Sequence, residues 1–488
     1  GTRAALAALD EVVKAIKDID ENDVPLSLSH VAPVSDILRH TAVFAPVPHV
    51  SGLPSCATHL PAIDVILQYE QSPRWPEDLA AIQKLKLAFL ETIARRLKRK
   101  GAATHIAIAL DEDASVIEDN CSLELITPPG FAIRARIFCE VEEILLKRLV
   151  APKGKNWTIP EEYAISRDEA KKALALHQRR FIHQPQHHNA IAATQHRTPS
   201  YGVTTRLVKR WLAAHLLLPF VPEETVELLC AYVYLCPGAF GVPATGHTGF
   251  ARVVRLLKEW DYRESPLCVP LYAAAGAEPG KAIAFPQDKK EKVDAFFKEK
   301  LGEAGWVVAT EKDPVGIAFG PVLGPKASIP ARIRQVAAAT WQYLCSGMDG
   351  GNLVAKDVFV HPLDDYDFVV HLKPSIHPRY CQNLQFDPHA WSKGEDDDTS
   401  AFQVGELAAP KVEFDPAKML FDDLKRIYAE TALFFFDPYG GTVIAGIYNP
   451  HVKEDRTFRA LAGYSSIPIK SIDQKVINLM QKNLEVKH

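Results

Sequence analysis

Asp364, Asp365 and Asp367 stand just before the apolar run Phe368–Leu372 and follow two small-residue pairs, Ser346-Gly347 and Gly350-Gly351. Two-metal nucleotidyl transfer needs a Gly-Ser turn for the triphosphate, two carboxylates one residue apart on a strand, and a third on a neighbouring strand. With these, two cations clamp the attacking and leaving oxygens. Here the imitation is loose. The dipeptide reads Ser-Gly, and the later runs Leu433–Phe436 and Val443–Ile447 carry no acid, Asp437 falling in the turn between them. A polar strand entrance is the better reading of the three aspartates. A second imitation, Ala62-Ile63-Asp64-Val65, has alanine where the first acid belongs; if Phe131–Phe138 is the third strand, Ala132 and Arg134 replace the remaining one. One carboxylate does not hold two metals, so no catalytic residue and no metal site are assigned.

Other reactive residue types give less. His177, His183, His187, His188 and His196 crowd together without a His-x-x-x-His or Cys-His ligand spacing, and they read as a polar connector. Asp111-Glu112-Asp113 reads as a solvated turn, and Gly246-x-x-Gly249 as a helix entry. There is no Walker A motif or glycine-rich dinucleotide loop, so no cofactor is expected. The eight cysteines form no Cys-x-x-Cys pair and fit buried thiols in a reducing compartment. A net charge of −4 excludes a global basic field for nucleic acid. A local one remains: Arg95, Arg96, Lys98, Arg99 and Lys100 end a helix expected over Pro76–Lys100. Such a cluster meets RNA phosphate or an acidic protein, or it is a plain solvated helix end where the dipole favours cations. Arg206, Lys209 and Arg210 form a smaller candidate.

The elements that must position these residues come in three blocks. Leu6, Leu9, Val12, Val13 and Ile16 predict an opening helix, and Ile63–Tyr69, His105–Leu110, Cys121–Thr127 and Phe131–Phe138 predict strands around Pro76–Lys100. Ala164–Arg197 reads as helical, then polar. SYGVTTRLVKRWLAAHLLLPF (Ser200–Phe220) carries Val203, Leu207, Trp211, Leu212 and Leu216 at helical steps, with Arg206, Lys209 and Arg210 elsewhere; FARVVRLLKEWDYR (Phe250–Arg263) repeats the pattern with Phe250, Val253, Val254, Leu257 and Trp260. A Pro/Gly-rich stretch, Val315–Pro330, leads into a helix over Ala331–Cys345. Beyond it come strands at Val358–Val360 and Phe368–Leu372, an acidic loop at Lys393–Ser400, and a helix over Pro416–Tyr428. TALFFFDPYGGTVIAGIYNP (Thr431–Pro450) reads as a buried hairpin.

These long segments, with IDVILQYEQSPRWPEDLAAIQKLKLAFL (Ile63–Leu90) and LDDYDFVVHL (Leu363–Leu372), resemble in order the C-terminal half of the nucleolar RNA-associated protein (Nrap) family, components of the small-subunit processome. The resemblance implies an α/β plus α fold, with tandem nucleotidyltransferase-like and poly(A)-polymerase/oligoadenylate-synthetase-like domains used as a scaffold without catalysis. It also implies a nucleolar place in small-subunit ribosome biogenesis and rRNA processing, within a ribonucleoprotein. The partners it implies are pre-rRNA, small nucleolar ribonucleoprotein, a ribosomal-RNA-processing protein and casein kinase subunits.

Length suggests about three domains, and the divisions expected are 1–185 nucleotidyltransferase-like, 186–346 helical, 347–466 α/β, and 467–488 a tail helix. That tail carries Ile472, Val476 and Met480 at helical steps, a candidate stripe for a partner protein. Gly1 in place of Met suggests a fragment. The absence of a signal peptide or long apolar span suggests a soluble intracellular protein. Two rivals to the scaffold stand: an active metal-dependent nucleotidyltransferase using Asp365 and Asp367, and a domain array with protein partners alone.

Overall fold

The opening periodicity closes into helix α1 (Thr2–Lys17), which buries Ala5, Ala8, Leu9, Val12 and Ile16 while leaving Leu6 exposed. The computed structural model describes residues 1–19, 24–49, 59–72, 75–111, 114–151, 165–273, 283–299, 305–319, 328–348, 354–374, 377–383 and 410–450. The first domain is built on a five-stranded sheet of β1 (Leu28–Pro33), β2 (Ala62–Tyr69), β3 (His105–Leu110), β4 (Cys121–Ile126) and β5 (Ala132–Phe138), in the order β1-β2-β5-β4-β3. Only β2 and β5 run parallel. Strand β1 escaped the sequence reading because Leu-Ser-His-Val-Ala-Pro lacks a run of β-branched residues.

Helix α2 (Leu79–Lys100) crosses that sheet. It starts where the Asp78 carboxylate accepts the Ala81 N–H at 2.6 Å and stops at Gly101, whose φ of 66° suits a residue without Cβ. Its buried stripe, Leu79, Ile82, Phe89, Leu90, Ile93 and Leu97, shares a core with Ile63, Leu67, Leu123 and Ile133. One member is a charge: Lys86 lies fully buried, 3.0 Å from Asp119 and 2.7 Å from Glu142. Glu142 belongs to α3 (Glu140–Val150), another element the sequence reading passed over.

A single helical rod leaves this domain. It comprises α4 (Arg167–Gln178), a π-helical turn at Arg179–His183 and α5 (Gln184–Arg197). The divide expected at 185/186 falls inside the rod. His177, His187 and His188 are buried rather than forming a polar connector: the His177 ring packs against Phe138, and His187 packs against Phe319 and meets the buried Glu227.

The rod leads into α6 (Ser200–Ala214), α7 (Glu223–Leu235) and α8 (Gly246–Glu259). Helices α6 and α8 approach closely: a Cβ on Gly246 would collide with Val203, and one on Gly249 with Thr204. The glycines of that helix entry are therefore packing positions as well. The buried face of α6 is Tyr201, Thr205, Val208, Trp211 and Leu212, rotated from the expected one, so Val203 is exposed and Lys209 is inside. Around this core lie strands β6 (Leu267–Val269) and β7 (Val308–Thr310), which pair in parallel, and helices α9 (Gln287–Glu299) and α10 (Ser328–Met348). None of β6, β7, α7 or α9 was foreseen.

Residues Ala355–Phe359, where a strand was expected to begin at Val358, form a 3-10 turn. Strand β8 (Phe368–His371), helices α11 (Pro378–Asn383) and α12 (Pro416–Ile427), and strands β9 (Ala432–Phe436) and β10 (Val443–Tyr448) complete the described chain. The hairpin of β9 and β10 is buried on both faces. Phe434, Phe436 and Ile444 pack with α12, while Phe435 and Ala445 join the core of the helical domain. No helix of the described residues is long and apolar enough to cross a membrane.

Candidate functional site

Sheet register decides what chemistry the first domain offers. Asp64 on β2 is paired with Arg134 on β5, and Ala62 with Ala132; on the other side of β5, Arg134 is paired with Glu124 of β4. Paired residues share a face, so Asp64, Arg134 and Glu124 form one row across three strands. The Arg134 guanidinium lies 3.5 Å from Asp64 Oδ1 and 2.9 Å from Glu124 Oε1. Glu413, from the segment preceding α12, completes the ring at 2.7 Å. Its backbone N–H is held by Leu60 O at 2.8 Å.

Three carboxylates thus surround a fixed cation. The planar guanidinium uses the oxygen lone pairs that metals would need, and its charge repels a second cation from the same space. The donor set does not fit a metal pair, and among the described residues no group of three His, Cys, Asp or Glu is arranged to hold a metal ion.

Asp64 opens into a cleft of about 400 Å³, lined also by Asp36, Arg179, Glu223, Arg379 and Tyr439. Burial raises the Asp64 carboxyl to about 6, Glu413 adding to the shift and Arg134 opposing it. Burial, then the charge of Arg379, pushes the His59 imidazole in the same cleft down to about 3, so it stays neutral.

Behind the cleft is a buried ionic hub that the sequence reading missed. The fully buried Glu227 of α7 accepts from Arg39 Nε at 2.9 Å, Thr41 Oγ1 at 2.6 Å and Lys209 Nζ at 2.9 Å, and it meets His187 Nε2 at 2.7 Å. Burial alone would raise its carboxyl; Arg39 and Lys209 hold it well below the usual range. Lys209 also meets Glu223 at 2.8 Å. The available signal was Glu227, the one acid inside the apolar run that follows Thr225 in α7.

The other candidates separate. Arg332 meets Asp365 at 2.5 Å, and Asp367 accepts the Tyr448 N–H at 2.7 Å, so those two aspartates serve an ion pair and a strand end. Ser346-Gly347 lies at the end of α10, and Gly350-Gly351 falls outside the described residues. Of the smaller basic group, Lys209 is buried, Arg210 meets Asp437 at 2.6 Å, and Arg206 donates to His40 O at 2.8 Å. That group is not a phosphate surface. Arg95, Lys98, Arg99 and Lys100 are exposed and Arg96 is half-buried, all in the last turns of α2. Lys100 also ties down the end of α1 through Ala15 O at 3.1 Å and Asp18 O at 3.3 Å. Ile472, Val476 and Met480, with the acidic loop Lys393–Ser400, lie outside the described residues.

The fold and this site define a class: a nucleotidyltransferase-type α/β domain, whose carboxylate row is filled by arginine, joined to a helical domain of the poly(A)-polymerase/oligoadenylate-synthetase type. Residues 1–196 match the Nrap protein nucleotidyltransferase domain 4, residues 198–361 the Nrap protein PAP/OAS1-like domain 5, and residues 363–486 the Nrap protein domain 6. The chain belongs to the Nrap family.

It is 27% identical over 481 residues to U3 small nucleolar RNA-associated protein 22 of Schizosaccharomyces pombe, covering 97% of this chain and 39% of that protein. It is 26% identical over 479 residues to Nucleolar protein 6 of Homo sapiens, covering 94% of this chain and 38% of that protein. The chain thus spans about two fifths of the length of these relatives. A solved structure of a cytoplasmic RNA terminal U-transferase aligns over 74% of this chain with 9% identity and a TM-score of 0.36, a likeness that carries no argument.

Proposed function

We propose that this chain serves as a non-catalytic scaffold in nucleolar small-subunit ribosome biogenesis, supporting pre-rRNA processing within the small-subunit processome. The names of its relatives, a U3 small nucleolar RNA-associated protein and a nucleolar protein, support the cellular role. The observation that carries the absence of catalysis is Arg134. It occupies the position beside Asp64 where a metal-holding carboxylate would stand, and it draws Asp64, Glu124 and Glu413 into ion pairs.

The finer partners, pre-rRNA, small nucleolar ribonucleoprotein, a ribosomal-RNA-processing protein and casein kinase subunits, rest on the family resemblance. The domain divisions and the Ile472, Val476 and Met480 stripe belong to the same proposal. So does phosphate contact by Arg95, Arg96, Lys98, Arg99 and Lys100. Reversing Arg95, Arg96 and Arg99 to Glu is expected to weaken RNA binding uniformly across sequences and to flatten its salt dependence; unchanged affinity and slope would make the cluster a solvated helix end.

The cellular test replaces the natural full-length protein with one carrying Asp64→Ala, Asp365→Ala and Asp367→Ala. Small-subunit rRNA precursors are expected to mature at the wild-type rate. Precursor accumulation in cells where the variant is stable and assembled would show that the carboxylates do chemistry.

A further inference from the structure

Helices α8 and α10 lie side by side and turn one shared face outward. On α8 that face carries Arg252, Arg255 and Lys258 at three-residue steps; on α10 it carries Ala331, Arg334, Ala338 and Trp341. Arg334 Nε donates to Lys258 O at 3.1 Å and fixes the two helices together. Between them runs a groove of about 310 Å³, lined by Lys258, Tyr262, Arg263, Arg334 and Gln335 with two alanines.

Aromatic rings alternate with the cations. Arg252 and Arg255 sit 5.7 Å and 5.1 Å from the Phe240 ring centre, and Arg255 and Lys258 sit 5.8 Å and 5.9 Å from the Trp341 ring. Arg263 lies 5.6 Å from the Tyr262 ring. Phe240, on the short turn Gly238–Phe240, is 66% exposed, and Arg252 holds that turn through Phe240 O and Gly241 O.

Charge leaves this face incomplete. Glu259 meets Arg255 at 2.8 Å and Asp261 meets Arg334 at 3.6 Å, while among the described residues Arg252, Lys258 and Arg263 have no carboxylate within ion-pair distance. Even with Glu264 counted, the patch is net positive on a chain whose total charge is −4. The Tyr262 side chain, only 4% exposed, contributes to the groove wall, and its hydroxyl is buried without a hydrogen-bond partner.

We propose that the groove between α8 and α10 binds single-stranded RNA, with phosphates on Lys258, Arg263 and Arg334 and an unpaired base stacked on Phe240. Phosphate neutralisation explains the cations, and the open ring explains the preference for a single strand, whose bases have free faces that a duplex hides. An acidic peptide would use the cations and leave Phe240 idle. The proposal leans on the ribosome-assembly reading only for the source of the natural strand; the groove shares no lining residue with the Asp64 cleft, so the absence of catalysis is not at stake in it.

The test is fluorescence anisotropy of the whole chain with a labelled mixed-sequence single-stranded RNA, titrated across salt. Lys258→Glu with Arg263→Glu is expected to weaken binding at least about tenfold and to reduce the log–log salt slope by about 1.4, two single-strand phosphate contacts. Phe240→Ala is expected to weaken single-strand binding about fivefold or more with an unchanged slope, and to leave duplex RNA binding as it was. Wild-type affinity in the Lys258/Arg263 and Phe240 variants overturns the proposal. So does competition by poly-glutamate as strong as by RNA, which would assign the face to an acidic protein. Should the double reversal unfold, Lys258→Gln with Arg263→Gln answers the same question.

Discussion

Asp64 and Arg134 show how one register decides between a metal site and an ion pair. The Asp64 carboxyl stands at about 6 because burial outweighs the attraction of Arg134, so the folded state binds a proton more tightly than the unfolded chain does. The stability contributed by Asp64 therefore falls as pH rises from about 4 through about 6. Asp64→Asn is expected to raise the thermal midpoint above pH 6, and the gap should close toward pH 4. With 39% of its side chain open to the cleft, solvent screening limits the gain to about 1 kcal/mol. A lower midpoint for Asp64→Asn at pH 7 would mean that the pair with Arg134 outweighs burial. The replacement of acids by Ala62, Ala132 and Arg134 was legible in the sequence, since it needed only strand spacing. Glu413 was not, because it comes from hundreds of residues away and nothing local marks it as a partner.

Among elements, the clearest lesson comes from α6 and α7. The periodicity of Ser200–Phe220 identified the helix correctly but not its rotation, because the buried side of α6 includes Thr205 and Lys209 as well as apolar residues. Buried polar groups break the hydrophobic stripe that such a reading follows, and only their partners, Tyr201 O for Thr205 and Glu223 and Glu227 of α7 for Lys209, make their burial tolerable. The same blindness turned the His-rich end of the rod into an expected connector. Glu227 joins the segment after β1 to α5, α6 and α7, so Glu227→Ala strands Arg39 as a buried cation without its ion-pair partner and leaves Lys209 to Glu223 and the more distant Asp36. The expected cost is about 3–5 kcal/mol in denaturant unfolding. A loss below about 1 kcal/mol would show that the hub is not what fixes the first domain to the helical one. Hairpin β9–β10 is the opposite case: its uniformly apolar strands announced burial on both faces, and the core supplies it.

For the whole molecule, the three largest cores of the described residues are linked by charge and by shared apolar surface. Phe435, Tyr439 and Ala445 of the C-terminal hairpin sit in the core of the helical domain, and Glu413 reaches the sheet of the first. Such cross-bracing suits a rigid platform, and it spends the carboxylates of the cleft on structure. The long segments that carry the family resemblance are those with the strongest apolar patterning, which is why they were readable without coordinates. The short elements β1, β6 and β7 depend on tertiary partners and were not. The most direct measurement is primer extension by the purified chain with an RNA primer, all four nucleoside triphosphates and manganese, beside an Asp64→Ala, Asp365→Ala, Asp367→Ala variant. The account predicts no extended product from either, because Arg134 excludes the metal pair that the chemistry requires. Extension by the wild-type chain that disappears in the variant would contradict it.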